Sequence, residues 1–145
     1  MEKLLLYSPT AVNNTVLQNH SYYSLRYGTL SPDELLYEAQ QRGITHLALT
    51  DINCTAGIIE FVRQAKKKNM HPIAGVDFRN GIQCMYVALA KNAQGFAYIN
   101  EHLSLHLHHE KPFEPRAPQL DDTFIIYPFQ QAQQHLIPEE LADHE

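Results

Sequence analysis

The sequence predicts an α/β fold built on mostly parallel strands, with one antiparallel hairpin. Three observations carry this. His46-Leu47-Ala48-Leu49 is a short, mostly apolar run that leads into Thr50-Asp51 just before a helix, as a buried parallel strand does at its carboxyl end. Strand and helix patterns then follow each other in two strand–helix–strand steps, which argues for parallel pairing with right-handed crossovers. Asn80-Gly81 is the strongest hairpin signal in the chain.

The 145 residues suffice for one ordinary domain with a real core. Apolar residues make up 44% and charged residues 19%, a globular and not a disordered composition. The formal net charge of −5 argues against attraction to nucleic acid through the overall field. The only basic run, Lys66-Lys67-Lys68, falls at an expected helix end, where the dipole favours it. Two cysteines, Cys54 and Cys84, lack the spacing of a zinc knuckle or a disulfide framework and suit a reducing cytosol. No apolar run approaches the ~20 residues that span a bilayer, and Leu4-Leu5-Leu6 is too short for a signal peptide. A cytoplasmic protein is expected.

Residues 1–14 form a lead-in of uncertain assignment, with a strand conceivable over Lys3–Tyr7 before Pro9. Thr15-Val16-Leu17 reads as a short strand running into Gln18-Asn19-His20-Ser21, followed by an aromatic loop from Tyr22 to Thr29. Ser31-Pro32-Asp33-Glu34 then sets Ser at N-cap, Pro at N1 and Glu at N3, a capping box with a preorganised first turn. Leu35, Leu36, Tyr37 and Ala39 offer an apolar face, and Gly43 stops the helix as a C′ residue.

The strand His46–Thr50 follows. Thr55 is a plausible N-cap for a helix with Ile58, Ile59, Phe61, Val62 and Ala65 as its core face, ended by Asn69. His71–Phe78 is the next strand, with Pro72 near its start, where a missing N–H is tolerated. Across Asn80-Gly81 comes the strand Cys84–Ala90. Ala93 to His109 reads as a helix with Phe96, Ile99, Leu103 and Leu107 at near-helical spacing. Three prolines make residues 110–122 an extended connection to a strand at Phe124–Tyr127. Pro138-Glu139-Glu140 suggests the opening of a further helix. Ending on a new unit, the chain reads as part of a larger α/β domain.

In a parallel sheet three strand ends point one way, and they carry His20 with Gln18, Asp51, and Asp77. Gln18 and His20 share a strand face. An imidazole and two carboxylates at one mouth have the chemistry to hold a divalent metal.

His20-Ser21-Tyr22-Tyr23-Ser24-Leu25, Leu49-Thr50-Asp51 and Pro72-Ile73-Ala74-Gly75-Val76-Asp77 resemble, in order and spacing, the successive motifs of the PHP (polymerase and histidinol phosphatase) domain. The likeness is to the version at the N-terminus of bacterial DNA polymerase III alpha subunits. Ala90-Lys91-Asn92 and Gly95-Phe96 resemble the segment after that family's fourth strand. The resemblance implies a distorted (β/α)7 barrel of which residues 15–145 supply a truncated N-terminal portion.

It also implies a site that departs from the family's metal ligands. Gln18 stands where the first His belongs, Ile52 where a His follows the Asp, and Asp77 where a Glu ends the third motif. Met85 falls at a later His position. His20 and Asp51 are kept. An aliphatic Ile52 has no lone pair to donate, and Gln18 offers only a neutral amide oxygen, a weak ligand for zinc-like ions. The expectation is a vestigial metal site at His20, Asp51 and Asp77, no catalytic residue, and no cofactor in this chain, with Zn or Mn as the alternative.

Other candidates weigh less. His102, His106 and His109 fall at i, i+4 and i+7, but no acidic residue or Cys completes a zinc set, and a solvated helix end accounts for them. Cys54 near a helix start lacks an obvious base, so a packed or idle thiol is expected. Tyr22, Tyr23 and Tyr27 lack the basic neighbours of a base-stacking surface and should pack over their loop.

By this resemblance the chain takes part in DNA replication through a polymerase III alpha subunit, itself a DNA-directed DNA polymerase, in a structural or subunit-docking role. Its partners would be the remaining polymerase domains and accessory or proofreading subunits, with DNA reached only through the whole protein and no membrane contact. The alternatives are a small metal-dependent phosphoesterase with altered ligands and a stand-alone protein-binding module. A half-barrel leaves sheet edges and apolar faces uncovered, so pairing between copies is also expected.

Overall fold

A computed structural model of the chain describes residues 14–130, 132 and 141–143. Five strands, β1 (Asn14–Val16), β2 (Ile44–Leu49), β3 (His71–Asn80), β4 (Gln83–Ala90) and β5 (Thr123–Ile126), form one curled sheet in sequential order. Three helices, α1 (Pro32–Gln41), α2 (Ile58–Lys67) and α3 (Ala93–His108), connect or cover them. The strand expected at Lys3–Tyr7 and the helix expected from Pro138 lie outside the described residues.

The first three strands pair in parallel through the α1 and α2 crossovers, with His46 opposite His71 and Leu49 opposite Ala74. At β3 the sheet changes sense. The Asn80-Gly81 turn returns the chain as β4, antiparallel to β3, and β5 adds a second antiparallel ladder on β4. Among the described residues, parallel and antiparallel ladders are thus equal in number. The β3–β4 ladder carries an irregularity between Phe78 and Arg79, where Phe78 faces Tyr86 but Arg79 faces Cys84. Met85 is the extra residue on β4. Such a bulge re-aims the side chains beyond it.

Local chemistry explains the helix ends. Ser31 Oγ accepts the Glu34 N–H at 3.2 Å and Glu34 Oε2 accepts the Ser31 N–H at 2.7 Å, the reciprocal capping box. Gly43, at φ +68°, follows the α1 C-cap in the left-handed region glycine favours. For α2 the N-cap is Gly57 and not Thr55. The Thr55 hydroxyl instead donates to Asn100 Oδ1 at 2.8 Å. Lys66 and Lys67 occupy the last turn of α2, as the dipole favours, and Lys68 Nζ pairs with Asp33 at 3.2 Å.

Two apolar clusters lie on the helix-covered side of the sheet. Leu36, Ala39, Leu47, Leu49, Ile58, Phe61, Ala65 and Met70 join α1 and α2 to β2. Val76, Phe78, Tyr86, Ile99, Leu103, Phe113 and Ile125 join α3 and the proline-rich connection to β3, β4 and β5. Three residues expected in the core are exposed: Ile59 (71%), Tyr37 (53%) and Leu107 (51%). Ile59 and Tyr37 lie off the stripe that 3.6-residue periodicity selects, which on α2 is Ile58, Phe61 and Ala65, and Leu107 lies in the last turn of α3. The opposite, concave side has a smaller cluster of Ala48, Val87 and Leu89, with Ile73 and Cys84 against it. Asp77, facing Val87 across the ladder, belongs to this side.

Candidate functional site

The concave side, at the end of β2 and within β3, carries the polar residues the sequence singles out; Asp77 lies inside β3 and not at its end, because the strand continues to Asn80 in the ladder with β4. Asp77 on β3 is fully buried, as are Asp51 and Thr50 at the end of β2. The backbone holds the two acidic residues side by side: the Asp77 N–H donates to the Asp51 carbonyl at 3.3 Å, and Ile52 and Asp77 form a parallel bridge. Their side chains have separate partners.

Asp77 gathers nearly everything charged or polar nearby. Gln18 Nε2 donates to its Oδ2 at 3.0 Å, and His20 Nε2 lies 2.9 Å from the same oxygen. An ionised carboxylate only accepts, so His20 presents its Nε2–H there. Arg79 grips both oxygens, Nε to Oδ1 at 2.9 Å and Nη2 to Oδ2 at 2.8 Å. Burial alone pushes the Asp77 carboxyl up, but hydrogen bonds from His20, Arg79 and Cys84 and the Arg79 charge hold it well below the usual carboxylate range. The same environment pushes the Cys84 thiol up to about 12, through burial first and the Asp77 charge second. Cys84 is therefore a neutral donor.

Asp51 is used differently. Its Oδ1 accepts the Ser21 N–H at 2.7 Å and the Ser24 hydroxyl at 2.6 Å, and its Oδ2 accepts the Ser21 hydroxyl at 2.6 Å. Ser24 Oγ in turn accepts the Ile52 N–H at 2.9 Å. Asp51 thus anchors the loop after β1 to the end of β2. Gly28 closes that loop: a Cβ there would sit 2.0 Å from the Ser21 carbonyl oxygen, so only glycine allows the approach.

The structure therefore brings Gln18, His20 and Asp77 together and turns Asp51 to the serines. Met85 lies in the helix-side core beside Tyr86, and Cys84 turns toward Asp77, because Met85 is the bulged residue and shifts the alternation. His102 is not on a solvated face. It is half-buried, lies 2.8 Å from the Tyr86 hydroxyl, and contacts the rings of Phe78 and Phe113. Burial, with a contribution from neighbouring His106, lowers its pKa to about 4. His106 stacks on Phe113, and His109 is the exposed C-cap of α3. Cys54 is a free thiol whose sulfur accepts the Ala56 N–H, ahead of α2 and not at its first turn. Of the loop tyrosines, Tyr22 and Tyr27 remain about half exposed.

The sequence reading overlooks Arg79, Ser21, Ser24 and Asn53. Period-two alternation from Asp77 reaches Arg79, and that signal was available. The Asn53 side chain fixes the Arg79 backbone twice, accepting its N–H at 2.9 Å and donating to its carbonyl at 2.8 Å.

The residues as arranged do not fit a divalent cation. Both Asp77 oxygens face N–H donors, and both Asp51 oxygens are taken by Ser21 and Ser24. The Ile52 side chain has no lone pair to offer a metal. Among the described residues, no three His, Cys, Asp or Glu side chains are grouped to hold a metal ion. No helix among these residues is long and apolar enough to cross a membrane.

The chain is similar to known proteins. The chain is 41% identical over 80 residues to the DNA polymerase III subunit alpha of Ureaplasma parvum, covering 55% of this chain and 8% of that one. It is 32% identical over 102 residues to the error-prone DNA polymerase of Symbiobacterium thermophilum, covering 70% and 9%. The chain thus spans less than a tenth of the length of these relatives. A solved protein from Bifidobacterium adolescentis assigned as a metal-dependent phosphoesterase shares the fold, at TM-score 0.53, 20% identity and 67% and 32% coverage. An amidohydrolase from Chromobacterium violaceum matches at TM-score 0.53, 27% identity and 68% and 34% coverage. These likenesses fit a partial (β/α) barrel. The PHP domain profile matches residues 17–138, and the chain belongs to the PHP domain family.

Proposed function

We propose that this chain is the N-terminal PHP portion of a DNA polymerase III alpha subunit and that its role there is structural, bracing the polymerase and offering a surface to other subunits. In this reading templated DNA synthesis belongs to other domains of the polymerase. The similarity to alpha subunits and error-prone polymerases supports the assignment. The observation that carries the structural role is the state of the two acidic residues. Every oxygen of Asp51 and Asp77 accepts from a protein donor, which supports a reading in which neither carboxylate activates water or holds a metal.

The test has two parts. Protein purified without chelator is analysed for bound Zn and Mn, then assayed for p-nitrophenyl phosphate turnover with added Mn²⁺ beside Asp51→Ala. Substoichiometric metal and no turnover are expected. One equivalent of metal, or turnover abolished by Asp51→Ala, would overturn the structural reading in favour of a phosphoesterase.

A further inference from the structure

We propose that Arg79 is an internal substitute for a metal cation: its guanidinium supplies the positive charge that the buried Asp77 needs and fixes the carboxylate in place. The inference rests on the metal-free reading above and deepens it by naming what fills the role.

The geometry is that of a prebuilt cation site. Two N–H groups of Arg79 meet the two oxygens of Asp77 in a side-on fork at 2.8 and 2.9 Å. The Arg79 side chain is only 11% exposed and that of Asp77 is 0% exposed, so the pair is largely withdrawn from water. A buried carboxylate without a counter-charge is costly, and one cation is enough to offset it. The Tyr27 ring lies 4.6 Å from the guanidinium carbon and adds a cation–π contact on the other side.

The backbone is held as firmly as the side chain. Asn53, at φ +48°, directs its amide to both the N–H and the carbonyl of Arg79. The bulge between Phe78 and Arg79 adjusts the strand at this point. Gln18 and His20 then complete the carboxylate's shell from the β1 side, with N–H groups where a metal would need lone pairs. Arg79 reaches Asp77 from two positions along the same strand, so the substitution needs no partner and no second domain.

The experiment compares the wild-type chain with Arg79→Met, Arg79→Lys and the double variant Arg79→Met/Asp77→Asn, by thermal unfolding with chelator and with 1 mM Zn²⁺ or Mn²⁺ added as roughly tenfold excess over protein. Arg79→Met should lower Tm by roughly 10 °C. Asp77→Asn in that background should recover at least half of the loss, because the charge left unpaired is gone. Arg79→Lys should fall between wild type and Arg79→Met, since it keeps the charge but not the fork. Should Arg79→Met fail to fold, folding of the double variant supports the proposal. Failure of both assigns Arg79 a packing role and overturns it. An Arg79→Met protein as stable as wild type, or no recovery in the double variant, also overturns it. Metal that stabilises the wild-type chain would instead refute the metal-free reading, so the two failures are distinguishable.

Discussion

His20 and Arg79 converge on one oxygen of Asp77 from two segments: His20 Nε2 at 2.9 Å from the loop after β1 and Arg79 Nη2 at 2.8 Å from β3 itself. Loop, parallel sheet and antiparallel hairpin therefore meet in a single buried carboxylate. The consequences can be measured.

Removing the carboxylate should strand its donors. Asp77→Ala leaves the Arg79 guanidinium, the Gln18 amide and the His20 N–H without their acceptor in a largely buried place. A loss of about 3–5 kcal/mol is expected, the range for breaking a buried ion pair from one side. Urea unfolding checks it; a loss below about 1 kcal/mol would mean that water replaces the carboxylate without difficulty.

Introducing imidazoles should not by itself create a metal site. Ile52→His, alone or with Gln18→His, puts imidazoles at the positions where the resemblance leads one to expect them. Asp77 remains in the Arg79 fork and Asp51 remains bound by Ser21 and Ser24. Calorimetric titration with Zn²⁺ should show no stoichiometric site until Arg79 is also replaced.

The loop after β1 should open when its closure is blocked. Gly28→Ala introduces a Cβ 2.0 Å from the Ser21 oxygen, so the loop must move, and the Asp51 bonds to Ser21 and Ser24 move with it. Trypsin cleavage at Arg26 under native conditions should accelerate at least several-fold. Unchanged cleavage would show that the loop is held elsewhere.

Stability should rise with pH between about 4 and 6.5, and His102 should cause part of the rise. Its folded pKa is lowered to about 4 from the ordinary 6.5 by burial, so the unfolded chain binds more protons across that window. The contribution is complete above the unfolded value and is lost as pH falls toward the folded one. Asp77 is lowered below the usual carboxylate range, so its contribution is lost only at more acid pH, below about 4. In His102→Gln, which keeps a partner for the Tyr86 hydroxyl, urea midpoints between pH 4 and 7 should vary less steeply than in wild type.

Much of this protein is written locally. The Ser31–Glu34 box, Gly43, the apolar run before Thr50 and the Asn80-Gly81 turn each act within a few residues, so periodicity and turn chemistry place the helices, the parallel strands and the hairpin. The order of motifs around His20, Asp51 and Asp77 likewise identifies the family. What each carboxylate does depends on which distant groups arrive beside it. Asp51 is taken by Ser21 and Ser24 because Gly28 lets the loop close. Cys84 faces the site and Met85 the core because one bulge shifts the alternation. His102 becomes half-buried because Phe113, from the proline-rich connection, folds over it. Arg79 is two residues from Asp77 in sequence, yet its surroundings come from two other loops: the Asn53 amide bonds its backbone and the Tyr27 ring lies against its guanidinium. Tertiary closure made Arg79 the counter-charge of Asp77, because a charge–charge geometry is set by distances that local sequence preferences do not encode.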